Sequence, residues 1–112
     1  MNLQFGEIVL VPFQFHQAFG SKLRPAVVLL DTGDDDFVAA PVTSSTHHSV
    51  YDVPLADWAK AGLRLPSTVR IHKLVVRAKA DVKHLMGDLS DADRDLVKRA
   101  LRRAFCGTGM EK

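Results

Sequence analysis

Cysteine is nearly missing from this chain. Cys106 is the only one, which excludes a disulfide within the chain and a structural zinc site built on cysteines, and makes a reducing cytoplasm the expected compartment. Long apolar stretches are missing as well: nowhere do about eighteen uncharged apolar residues follow one another. The opening run Met1-Asn2-Leu3-Gln4-Phe5-Gly6-Glu7 has no basic segment followed by an apolar one. The expectation is a protein neither exported by a signal peptide nor membrane-spanning. Net charge is small, at +2, and by itself says little about partners. Internal repeats, low-complexity tracts and linker-like stretches are lacking too, so residues 1–112 are expected to form a single domain.

What is present is an ordinary globular composition, 46% apolar and 25% charged, enough for one modest core. The charges are unevenly placed. Arg64, Arg70, Lys73, Arg77, Lys79 and Lys83 are accompanied only by Asp81, whereas acids gather at Asp34-Asp35-Asp36 and at Asp88, Asp91, Asp93 and Asp95. Such a basic segment fits a polyanion footprint or the solvated face of a strand.

Three apolar runs read as strands: Gly6 to Phe13, buried on both faces, Arg24 to Leu30, central and without alternation, and Phe37 to Thr43, which returns as the third. Pro12 confines the first to an edge or an end. Asp31-Thr32-Gly33-Asp34-Asp35-Asp36 has the composition of a turn, which makes the second and third runs a hairpin. A weaker strand follows around Val50, Val53 and Leu55, ending near Trp58, and residues 68–77 alternate imperfectly, with Val69 and Ile71 on one face and Arg70 and His72 on the other. Ser90 suits a helix N-cap, the nearby Asp91, Asp93 and Asp95 complement the dipole, and Leu96, Val97, Ala100, Leu101, Ala104 and Phe105 form an apolar stripe ending at a Gly107 C-cap. Successive strands closed by one C-terminal helix predict an α+β fold, mainly β: a strongly bent antiparallel sheet or open barrel.

Two polar sites interrupt the apolar runs: Ser21, Lys22 and Arg24 at the start of the second strand, Thr43 and Ser44 at the end of the third. Antiparallel pairing brings the start of one strand to the end of the other, so Arg24 and Thr43 become neighbours. A guanidinium with its fixed fork of donors, beside hydroxyls, suits a phosphate diester. His47-His48 is a poor metal site, since adjacent residues of an extended chain point oppositely; no metal or other cofactor is expected. Tyr51 and Trp58 are candidates for stacking on bases or for packing, and Phe13, Phe15 and Phe19 flank the loop before Arg24.

The blocks Gly6-Glu7-Ile8-Val9-Leu10-Val11-Pro12-Phe13, Gly20-Ser21-Lys22-Leu23-Arg24-Pro25-Ala26-Val27-Val28-Leu29, Ala40-Pro41-Val42-Thr43-Ser44 and Ser67-Thr68-Val69-Arg70-Ile71-His72-Lys73-Leu74 come in an order and spacing that resembles the MazF/PemK toxins. Met86-Gly87-Asp88-Leu89-Ser90 and the closing helix stand where that family has theirs. The resemblance implies an SH3-like barrel of five to seven strands, a homodimer, and a metal-independent endoribonuclease for single-stranded RNA, neutralised by a cognate antitoxin. It puts the cleavage residues at Arg24 and Thr43 and a further site position at Ser67, while Lys73 stands where many members have Arg. Lys22 replaces an acid common in longer-loop members, so the RNA sequence recognised does not carry over.

Together these readings make Arg24 and Thr43 the candidate catalytic residues and Ser21, Lys22, Ser44, Ser67, Arg70 and Lys73 the candidate substrate-binding residues. His16 and His72 are candidates for acid–base duty because histidine titrates near neutral pH. Two other readings use the same fold: a gyrase-poisoning toxin that would not need Arg24 and Thr43, and a non-catalytic nucleic-acid-binding barrel.

Overall fold

The structure, a computed structural model, describes residues 1–14, 21–46 and 48–106. Seven strands, β1 (Glu7–Gln14), β2 (Ser21–Asp31), β3 (Asp36–Thr43), β4 (Asp52–Pro54), β5 (Thr68–Arg70), β6 (Val75–Ala78) and β7 (His84–Asp88), precede one helix, α1 (Asp91–Phe105). The strands pair antiparallel in the order β4-β5-β3-β2-β1-β7, with β6 also on β3. The architecture is thus the mainly antiparallel sheet with a C-terminal helix that the sequence predicts, although no ladder joins β4 to β7 among the described residues and the barrel stays open. No helix among the described residues is long and apolar enough to cross a membrane.

The unalternating strands are explained by two cores, one on each face of β1, β2 and β3. Ile8, Val27, Ala40 and Val42 face Val69, Ile71, Leu89 and the helix residues Val97 and Ala100. Their chain neighbours Val9, Val11, Ala26, Val28 and Ala39 turn the other way, toward Leu3 and Phe37. A strand with apolar groups on both faces needs cover on both faces, and it receives it here from the helix on one side and the sheet's own curl on the other. Pro12 is tolerated because the β1–β7 ladder runs only from Glu7 to Leu10, so beyond it β1 is bonded on one side.

The strand expected over residues 68–77 is broken. Val42 pairs with Val69 in β5 and Val38 with Val76 in β6; four residues along β3 therefore correspond to seven along its partner. A 3₁₀ turn at Ile71–Lys73 takes up the extra three and ends the predicted alternation after Arg70. The charged segment is divided as well. Arg70 Nε lies 2.8 Å from Asp52 and Lys79 Nζ 2.7 Å from Asp31, while the Arg77 guanidinium sits over the Phe13 ring at 4.9 Å.

Helix α1 starts as expected, the Ser90 hydroxyl oxygen accepting the Asp93 N–H at 3.2 Å. The buried stripe is narrower than predicted. Val97 and Ala100 are buried and Leu101 and Ala104 pack beside them, but Leu96 and Phe105 at its flanks are exposed, because the helix touches the sheet along one line only. Gly107, predicted as the C-cap, lies outside the described residues, and Cys106 closes the helix by donating its N–H to the Arg102 carbonyl.

Candidate active site

The open end of the β2–β3 hairpin is made by prolines. Pro25 and Pro41 have no N–H to give a ladder, and β2–β3 pairing stops at Ala26 opposite Pro41, before either strand ends. Beyond that point β2 stays bonded to β1, with Arg24 opposite Val11, and β3 moves to β5, with Thr43 opposite Thr68. The two strands part, and a pocket of about 390 Å³ lies at the opening.

Arg24, Ser44 and Ser67, three of the candidates drawn from the sequence, line that pocket together with Arg64. Its apolar walls come from both strands, from β7 through Met86 and from Leu63 and Leu65 in the connection between β4 and β5. No carboxylate is among the lining residues, so the two guanidinium groups make its field positive. Thr43 is half-buried; its chain neighbours Val42 and Ser44 line the pocket, and it does not. Hairpin pairing does not set Thr43 opposite Arg24, as the sequence led us to expect: the ladder ends two positions short of both, and Arg24 pairs with Val11 while Thr43 pairs with Thr68. The Thr43 hydroxyl oxygen accepts the Ser45 N–H at 3.1 Å. With a lone pair so used, its own hydrogen is available to an acceptor outside.

The other predicted residues fall elsewhere. Ser67 is buried, and its hydroxyl donates to the Leu65 carbonyl at 2.7 Å, so it shapes the wall. Arg70 holds Asp52, which also accepts from the Ser49 hydroxyl and N–H. Burial alone would raise that carboxyl; the Ser49 and Arg70 hydrogen bonds outweigh it and hold it at about 2. Lys22 and Lys73 are exposed and do not line the pocket. His72 does not line it either: its ring is tilted against Tyr51 at 5.3 Å, and its Nδ1 is buried without a hydrogen-bond partner among the described residues. Ser21 opens β2, its side chain lying outside the described set, as do His16, Phe15, Phe19 and His47. Trp58 packs against the helix-side core and Phe13 against the other. No group of three or more His, Cys, Asp or Glu side chains among the described residues could hold a metal ion.

Two contributors were not anticipated. Arg64 stands in Leu63-Arg64-Leu65-Pro66-Ser67, where a lone cation between apolar residues just ahead of Ser67 was the available signal. Asp93 was read as a dipole partner, yet its side chain is fully buried and accepts the N–H groups of Ala56 and Asp57 at 2.9 and 2.8 Å. It thereby ties α1 to the start of the connection that forms the pocket wall. The far part of that connection is seated by glycine: a Cβ on Gly62 would come within 2.6 Å of the Met86 carbonyl oxygen.

The open, mainly antiparallel sheet with its C-terminal helix is the fold of MazF-type toxin structures. The family of PemK-like, MazF-like toxins of type II toxin-antitoxin systems matches residues 4–105. The chain belongs to that family. Its fold is shared by a mycobacterial endoribonuclease solved in complex with its cognate antitoxin, at 15% identity and a TM-score of 0.74, over 96% of this chain and 97% of that one. The Mycobacterium tuberculosis toxin MazF-mt6 is similar at 22% identity and a TM-score of 0.68, over 88% and 96%. A MazE-MazF structure from Deinococcus radiodurans gives 19% identity and a TM-score of 0.74, over 93% and 96%. No curated protein sequence matches significantly.

Proposed function

We propose that this toxin is a metal-independent endoribonuclease that cuts single-stranded RNA, acting as a single-domain, cytoplasmic homodimer restrained by a cognate antitoxin. The observation that carries the reading is the hairpin mouth, where Arg24 and Arg64 line a pocket without acids. The solved relatives include an endoribonuclease bound to its antitoxin, which supports both the reaction and the partner.

In the proposed reaction a ribose 2′-hydroxyl gives its proton to water as its oxygen attacks the adjacent phosphorus, the bond to the 5′-oxygen breaks, and that oxygen takes a proton from water, leaving a 2′,3′-cyclic phosphate and a 5′-hydroxyl. Negative charge grows on the non-bridging oxygens as the attack proceeds. Arg24 donates to those oxygens through its planar fork, and Thr43 donates its hydroxyl hydrogen, its oxygen being already fixed by the Ser45 N–H. Donors set in place before the reaction stabilise this charge more than water does, each typically by ~10²–10³-fold in rate. Arginine is a reluctant base at a pKa above about 12, so Arg24 acts by charge. The apolar walls around Leu10, Leu23, Leu63 and Leu65 keep the site low in dielectric and strengthen both interactions.

The test is to incubate the protein with a long RNA in EDTA and map the ends. Internal cuts with 2′,3′-cyclic phosphate and 5′-hydroxyl ends are expected. Intact RNA together with a bound topoisomerase would establish the gyrase-poisoning reading instead, and salt-dependent binding without products the non-catalytic one.

A further inference from the structure

Of the six cations between residues 64 and 83, only Arg64 reaches the pocket. Arg70 and Lys79 are held by Asp52 and Asp31, Arg77 covers Phe13 and donates to the Val76 carbonyl, and Lys73 and Lys83 are exposed outside the lining. Arg64 makes no hydrogen bond or ion pair among the described residues, and its exposed side chain belongs to the wall contributed by the connection between β4 and β5, whereas Arg24 belongs to the wall contributed by β2.

The backbone around Arg64 is held on both sides. Leu63, buried, donates its N–H to the Trp58 carbonyl at 3.1 Å; on the other side the Ser67 hydroxyl bonds the Leu65 carbonyl, and the Ser67 carbonyl accepts the Leu55 N–H at 3.0 Å. A long cation rooted in fixed backbone, with no carboxylate in the pocket, is set to meet an anion arriving from solution. Arg is suited to phosphate because its fork matches two oxygens at once.

We propose that Arg64 is a second phosphate anchor, which grips the phosphate next to the scissile one and so lays the RNA strand across the pocket from the β4–β5 connection to Arg24. This rests on the proposed RNA substrate. It divides the labour: Arg24 meets charge that grows during reaction, Arg64 meets charge that is the same before and after, and so contributes to binding.

The experiment measures binding of a single-stranded 2′-O-methyl oligonucleotide, which cannot be cut, across a series of salt concentrations for wild type, Arg64→Gln and Arg64→Lys. Loss of one phosphate contact should weaken binding about tenfold at low salt and lower the slope of log K against log salt by about 0.7, while Arg64→Lys, keeping the charge, retains the slope. Equal affinity and slope in wild type and Arg64→Gln would overturn the proposal. So would weaker binding that depends on the oligonucleotide sequence with the slope unchanged, since that marks contact to a base edge. Because the probe is not cleaved, a protein that binds it through Arg64 yet fails to cut RNA would uphold the anchor and defeat the nuclease reading separately.

Discussion

The two ends of the β2–β3 hairpin are built from the same two strands and differ in the charges they gather, acids at the turn and arginines at the open end. At the turn end the Asp31 charge is answered from within the chain. The Asp31 carboxylate accepts from Lys79 Nζ at 2.7 Å and from the Leu3 and Gly33 N–H groups at 2.8 Å each, and Lys79 also gives its backbone N–H to the Asp35 carbonyl. The Lys79 bond above all, with the two N–H groups, holds the Asp31 carboxyl far below the usual carboxylate range. At the open end Pro25 and Pro41 stop the ladder, and Arg24 and Arg64 face a pocket without acids. One end joins the N-terminal segment and β6 to the sheet. The other is an opening lined by two arginines and no acid.

Changes at the two ends should therefore separate activity from stability. Thr43→Val keeps the β-branched shape that suits a strand but removes the hydroxyl; cleavage under single-turnover conditions should fall about a hundredfold with the thermal midpoint unchanged, and Thr43→Ser should recover most of the rate. Asp93→Ala removes the acceptor shared by the Ala56 and Asp57 N–H groups and should cost about 1–3 kcal/mol in urea unfolding, at a site touching no substrate. Lys79→Met leaves Asp31 without its cation and should lower the thermal midpoint while folded protein cuts at the wild-type rate. The smallest effect is the pH dependence. Asp52, held at about 2 against an ordinary 3.8, and Asp31, lowered further, stabilise the fold fully above about pH 4, and that stabilisation is lost as pH falls through the folded values. Asp52→Asn should flatten the acid limb of stability measured between pH 5 and 2.

The hairpin was legible because its signals are local. The run Arg24 to Leu30, the Asp-rich turn and the run Phe37 to Thr43 specify strand, turn and strand within a few residues of one another; that the ladder ends short of Arg24 and Thr43 was not legible, because β3 leaves β2 for β5, a partner that begins only at Thr68. The break in residues 68–77 was not legible, because it comes from β3 accepting β5 and β6 in registers three residues apart, a demand made by the partner and not by Ile71, His72 or Lys73. Arg70 looked like a free cation for the same reason. Asp52, which holds it, is 18 residues earlier. Asp93 gave no local hint at all, since the N–H groups it accepts are 36 and 37 residues away. Leu96 and Phe105 show the converse: helical spacing marks an apolar stripe, but the width of the contact decides which of its members are buried.

The claim at the centre of this account is that the open end holds its charge for reaction and not for folding. The measurement that meets it most directly is the single-turnover cleavage rate of Arg24→Ala beside its thermal midpoint. A rate lower by ~10²–10³-fold with the midpoint of wild type is the predicted result. Cleavage at the wild-type rate, or a loss of rate that merely follows unfolding, would contradict it.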